Sequence, residues 1–297
     1  MQEISLEHAI ETVIARFDIF DYPLTAFEIW QFCPITTSYQ EVEKCLSTST
    51  RIETHNGFFF MPKRIEIITT RQNRYRDSYA KIRTAQRLIK LFSWLPFIRS
   101  IMLANIIGAN NVKAESDIDL FIITKQNRVW IIKGLASFIF AVLNLRPKKQ
   151  KSKNTICLSY LVDETALDLS QARFNENDWY FAYWLSGLMP LYGSTEIYEK
   201  LLEANPWLKT NLPNWQLANA KPLKRFVTYN NSEKSFKFWN IFEKMAHAFH
   251  MKVLSPVLRE RANIDSSVII NDHVLKLHPS DRRDKLFILE QERLANL

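Results

Sequence analysis

Glycine is scarce in this 297-residue chain, five in all, and cysteine scarcer still at three. So few glycines exclude a collagen-like or glycine-rich low-complexity chain. The cysteines, Cys33, Cys45 and Cys157, are odd in number and far apart, with no CxxC or Cys/His cluster. They suggest neither a disulfide framework nor a structural zinc site, and a reducing cytoplasm is the expected setting. The N-terminus, MQEISLEHAIE, lacks the basic and apolar regions of a secretion signal, which predicts that the chain is not exported. A long uninterrupted hydrophobic run is also missing. Val129 to Leu145 covers 17 residues, the lower limit for a bilayer span, but Lys133 lies inside it and Asn144 near its end. It predicts a core helix and no membrane span.

What is present is globular: 47% hydrophobic and 24% charged residues, in a chain long enough for about two domains. The formal charge of +8 points to anionic partners, but it is unevenly spread. Residues 1–62 carry −6, residues 63–153 carry +14 and residues 154–297 balance.

Leu6, Ala9, Ile10, Val13, Ile14 and Phe17 recur at helical spacing and predict a first helix. Thr25 with Glu28, and Ser38 with Glu41, have the form of capping boxes and predict helices starting near Ala26 and Tyr39. Asn56-Gly57 lies between two short β-prone runs, as a tight I′ hairpin turn requires. Three helices and a hairpin in this order resemble a winged helix-turn-helix module over residues 5–62. The resemblance implies DNA binding, but the charge opposes it: the presumed recognition helix, SYQEVEKCL, offers one Lys against two Glu. A packing or protein-contact role is expected instead.

Between Lys63 and Leu95 nine basic residues face only Glu66 and Asp77, while Tyr75, Tyr79, Ile82, Ile89 and Phe92 recur at helical spacing. A basic amphipathic helix follows. Two readings stand: a face that clamps two domains together, or a surface that guides a polyanion.

The stretch Ile98 to Thr124 carries the chemistry. An apolar β-prone run ends at Gly108, a mostly polar loop follows, and Ser116-Asp117-Ile118-Asp119 opens a second apolar run. On a strand, Asp117 and Asp119 point to the same face. Two adjacent carboxylates are costly without a neutralising partner, and a hard divalent cation bound through oxygen, such as Mg²⁺, is the obvious candidate.

Gly108-Ala109 followed by Asp117-Ile118-Asp119-Leu120 resembles the signature of the DNA polymerase beta-like nucleotidyltransferase superfamily. The resemblance covers about residues 70–200. It implies that Asp117 and Asp119 are catalytic and ligate Mg²⁺ or Mn²⁺, and that Gly108, Ala109, Asn110 and Ser116 contact the phosphates of an NTP, ATP by expectation. It further implies transfer of a nucleoside monophosphate to an acceptor hydroxyl with release of pyrophosphate. Two features depart from the pattern. Ala109 stands where Ser is frequent, with Asn110 or Asn111 as substitutes. The strand that usually holds a third carboxylate, TICLSYLV, offers Cys157 and Ser159, and the first acids, Asp163 and Glu164, come at or past its end.

A helix is expected over 129–145, then the cationic connector RPKKQKSK, read as a solvated loop or a phosphate contact. A helix over Asn175–Leu191 ends in GLMPLYG, which resembles minimal members of the superfamily. Beyond residue 200 the pattern is mostly helical. Phe238, Trp239, Phe242, Met245, Ala246, Phe249 and Val253 are expected to face the core. His247 and His250, with Glu243 one turn away, make a weak metal set. Val268 to Leu277 reads as a strand, and His278, Asp281 and Arg282 as a turn and helix cap first, with participation in an active site as the second reading.

The expected class is α/β (α+β): a nucleotidyltransferase fold with a small mixed sheet flanked by helices over 96–200. A winged-helix-like module at 1–62, a basic connecting helix at 63–95 and a helical extension at 201–297 complete it. The expected function is metal-dependent nucleotidyl transfer to an unidentified small-molecule, protein or RNA-end acceptor. The alternatives are a catalytically degenerate nucleotide-binding protein and a DNA-binding regulator with a ligand-sensing domain.

Overall fold

The computed structural model describes residues 4–90, 95–104, 111–146, 155–216 and 238–297. The chain opens with α1 (Leu6–Asp18), α2 (Ala26–Phe32) and α3 (Tyr39–Thr48), then the hairpin β1 (Glu53–His55) and β2 (Phe58–Phe60). Both capping boxes form: Thr25 and Ser38 accept from the amides of Glu28 and Glu41, whose carboxylates accept in return from the cap amides at 2.8 Å. Asn56 and Gly57 take φ of 51° and 78°, the left-handed pair that a I′ turn needs. The long basic helix α4 (Glu66–Ile89) follows.

The central sheet is built from β3 (Ile98–Leu103), β4 (Ile118–Thr124), the crossover helix α5 (Val129–Val142) and β5 (Ile156–Asp163). Next come α6 (Trp179–Ser186), β6 (Met189–Gly193), α7 (Thr195–Glu203) and α8 (Trp207–Asn211). The chain ends with α9 (Trp239–Val253), α10 (Pro256–Arg261), the hairpin β7 (Val268–Ile270) and β8 (Val274–Leu277), and α11 (Arg283–Ala295). Six strands pair in the order β6-β3-β4-β5-β8-β7; β4 and β5 are parallel and the other neighbours antiparallel.

Both sheet faces are covered, so β4 reads as a nearly unbroken apolar run. Ile118, Leu120 and Ile122 pack in one core with α4, α5 and α9. Phe121 and Ile123, on the opposite face, share a core with α1 and α6. The N-terminal segment of three helices and a hairpin is continuous with that second core, since Phe17 and Phe32 both lie 5.0 Å from the Tyr183 ring.

Three expectations are corrected. The helix expected over Asn175–Leu191 stops at Ser186, and GLMPLYG supplies β6. Gly187 and Pro190 do not support a helix here, and an edge strand tolerates the missing proline amide. The expected single strand at 268–277 is two, turned at residues 271–273, and β8 pairs with β5, so the C-terminal region is part of the central sheet and not only a helical extension. Phe242, Met245, Phe249 and Val253, expected in the core, are 48–61% exposed. α9 packs on α5 by its other side, with Trp239, Ala246 and Met251.

Candidate functional site

Strand pairing builds the site. Asp117 precedes β4 and Asp119 is its second residue, opposite Cys157 on the parallel neighbour β5. One ligand atom from each of Asp117, Asp119 and Cys157 lies within 4.8 Å of the others, and all three residues are half-buried. The local backbone is held by the Ile118 amide on the Thr155 carbonyl at 2.7 Å and the Ala104 amide on the Asp119 carbonyl at 2.9 Å.

Lys81, buried on α4, locks the turn that presents the acids, donating to the Ser116 carbonyl and to Ser116 Oγ at 3.0 Å. Desolvation, then the charge of Asp117, pushes Asp119 up to about 7, while a hydrogen bond from Cys157 and the nearby Lys81 pull it down. Desolvation and then Asp119 push the Cys157 thiol up to about 12.

Asp119 opens onto a cavity of about 330 Å³ lined also by Ser159, Tyr160, Tyr180, Trp184, Lys276, His278 and Arg282, among others. Its apolar wall comes from β5 and α6, its cations from β8 and the start of α11. Ser159 Oγ and His278 Nε2 are 2.9 Å apart. Desolvation, then Lys276, lowers the His278 pKa to about 4, which makes the imidazole neutral at pH 7; the residue keeps some exposed surface, and water tempers the shift. A smaller cavity, about 170 Å³, touches Cys157 from the side of α5 and contains Lys133 and Arg146.

The other candidate residues have separate partners. Ser116 stands beside the acids but is engaged by Lys81, and Asn111 is held by Arg74 and the Phe20 carbonyl. Gly108, Ala109, Asn110 and most of the RPKKQKSK connector lie outside the described residues. The acids after β5 do not reach the site. Asp163 is buried, accepting from Asn127 and Thr165 and facing His273 Nδ1 at 2.7 Å, and Glu164 pairs with Arg99 at 2.7 Å.

Glu243 accepts from the Trp130 and Ile131 amides at 2.8 and 3.0 Å, so it caps α5. His247 stacks on Trp130 with ring centroids 4.6 Å apart. Asp281 accepts from the Arg283 amide and guanidinium in a turn ahead of α11, whose N-cap, Arg282, makes no side-chain cap, and His278, Asp281 and Arg282 all line the cavity. Ser159 and His278 were legible in the sequence only separately, and nothing in it joined them, or Lys276, in one cavity, because they lie far apart in the chain.

A divalent cation suits this donor set. Two carboxylates and a thiol converge, and burial, then the charge of Asp117, raises Asp119, a cost that a bound cation would offset. No helix among the described residues is long and apolar enough to cross a membrane. Comparison with protein-family models, with curated proteins and with solved structures finds no match.

Proposed function

We propose that this protein is a nucleotidyltransferase of the DNA polymerase beta-like type, moving a nucleoside monophosphate from an NTP, ATP by expectation, to an acceptor hydroxyl and releasing pyrophosphate. The observation that carries the reading is the convergence of Asp117 and Asp119, the second of which lines an aromatic and cationic cavity. Asp117 and Asp119 would hold a dication, which would supply charge compensation for an in-line displacement. Lys81 keeps their turn in place, and Lys276 and Arg282 put positive charge on the cavity wall. The aromatic wall of Tyr160, Tyr180 and Trp184 excludes water and offers flat surface to a base or an apolar acceptor.

Calorimetry of the purified protein with ATP and Mg²⁺ or Mn²⁺ tests the reading. Binding that needs the metal and disappears in D117N supports it; no binding with any NTP overturns it.

One observation favours a second reading, a degenerate nucleotide-binding protein. Among the described residues no third carboxylate joins the pair, and Asp163 and Glu164 are engaged elsewhere. Metal-dependent binding with neither pyrophosphate release nor labelled product, across hydroxyl acceptors of small-molecule, protein and RNA type, selects it.

A further inference from the structure

We infer that Cys157 is the third ligand of the Asp117–Asp119 metal site, and that its sulfur turns the site toward a first-row transition-metal dication and away from Mg²⁺. The inference rests on the metal-dependent reading above only in requiring that the two aspartates bind a cation.

Geometry is the first support. Asp119 and Cys157 are direct register partners on parallel strands, and neighbouring strands run about 4.8 Å apart. The sulfur and the carboxylate oxygens already lie within 4.8 Å of one another. Metal–oxygen bonds of about 2.1 Å and metal–sulfur bonds of about 2.3 Å put two ligands of one ion at most about 4.4 Å apart. Small side-chain adjustments close that gap.

Elimination is the second support. The acids that could have taken the position are held away from it, Asp163 by Asn127, Thr165 and His273, and Glu164 by Arg99. Cys157 is not in a disulfide.

Ligand chemistry supplies the preference. Mg²⁺ takes oxygen ligands and keeps its waters, whereas thiolate selects softer ions. On binding, the S–H bond is exchanged for a metal–sulfur bond and the proton leaves to the buffer; no electron moves and no oxidant is needed.

Co²⁺ titration of the full chain under reductant, followed by absorption, tests the inference without any activity assay. The expected result is a near-ultraviolet thiolate-to-cobalt charge-transfer band that survives C33S/C45S and vanishes in C157S. Mg²⁺ is expected to displace Co²⁺ only at an excess of roughly a hundredfold or more. C157D is expected to lose the band and gain Mg²⁺ affinity by roughly tenfold or more, as an oxygen ligand replaces sulfur. The nearly isosteric C157S keeps the test intact if the aspartate variant does not fold.

Cobalt bound through Asp117 and Asp119 without the band, or a C157S variant that titrates like the wild type, overturns the inference and leaves nucleotidyl transfer standing. Absence of any cation binding, with or without ATP, overturns both.

Discussion

The cations of the first half of α4 and those around the central site are chemically alike but differently used. Arg64 meets Asp21 at 2.7 Å and Asp18 at 3.6 Å; Arg71 grips both oxygens of Glu28 at 2.8 Å and lies over the Tyr22 ring; Arg74 reaches Asp21 at 2.9 Å. These arginines neutralise the acidic winged-helix-like segment and clamp it to the rest of the molecule, the first of the two readings open for this helix. Around the site, Lys133 and Lys276 instead donate to the backbone carbonyls of Leu158 and Ser266. A carbonyl holds an ammonium in place without cancelling its charge. Desolvation lowers Lys133 and Lys276 to about 8, so both stay mostly protonated at pH 7. Net charge by segment therefore overstates what α4 offers a polyanion and understates what the site offers.

The contrast is broken most severely where a cation is wholly committed to an ion pair. Arg283 and Asp178 meet at 2.6 Å, both nearly inaccessible to solvent, and Asp178 also caps α6 by accepting from Phe181. D178N is expected to cost about 1.5–3 kcal/mol in urea unfolding, because it removes one of the two carboxylates on a buried guanidinium, Asp281 remaining, and weakens the α6 cap.

D119N comes next, with metal-dependent ATP affinity expected to fall by more than the roughly hundredfold upper range for outer-shell changes. Its pH behaviour has two signs. In the wild type, cation affinity should rise through pH 6–8 as Asp119, with its pKa near 7, gives up its proton. In the metal-free protein, Asp119 holds a proton between its ordinary value of 3.8 and about 7 that the unfolded chain has already released. Its contribution to stability therefore falls as pH rises through that window and levels off above it. Metal-free D119N is expected to melt above wild type at pH 8 by about 2–4 °C, and an equal or lower midpoint contradicts the crowded-charge picture.

K276M sharpens the comparison from the site's side. ATP affinity is expected to drop roughly tenfold while the unfolding midpoint hardly moves, since the lost ammonium was not neutralising a paired carboxylate. R71M is the converse and the smallest effect: about 1 kcal/mol of stability, limited by partial exposure of both partners, with ATP affinity unchanged. A loss of ATP affinity in R71M as large as that in K276M would erase the distinction.

How legible each region was follows the range of its forces. Thr25 and Glu28, or Asn56 and Gly57, act over at most three residues, so their helix start and turn could be read directly and recur in the structure. Asp117 and Asp119 were legible for the same reason, since alternation along one strand puts them on one face. On α9, periodicity identified a helix but not the neighbours of its two sides: Trp239 and Ala246 meet α5, and Phe242 and Phe249 face outward. Pro190 and Gly187 could have warned that the helix from 175 stops early.

By itself, the sequence determined the local elements of residues 5–62 and the carboxylate pair at the start of β4, because backbone sterics, capping and strand alternation act between near neighbours. Only the tertiary structure decided that β8 lies beside β5 and that Cys157 stands opposite Asp119. It also brought His278 to Ser159, 119 residues apart in the chain. Such pairings depend on which strand edges and apolar faces are left to satisfy one another, a property of the assembled sheet that no short window of residues contains.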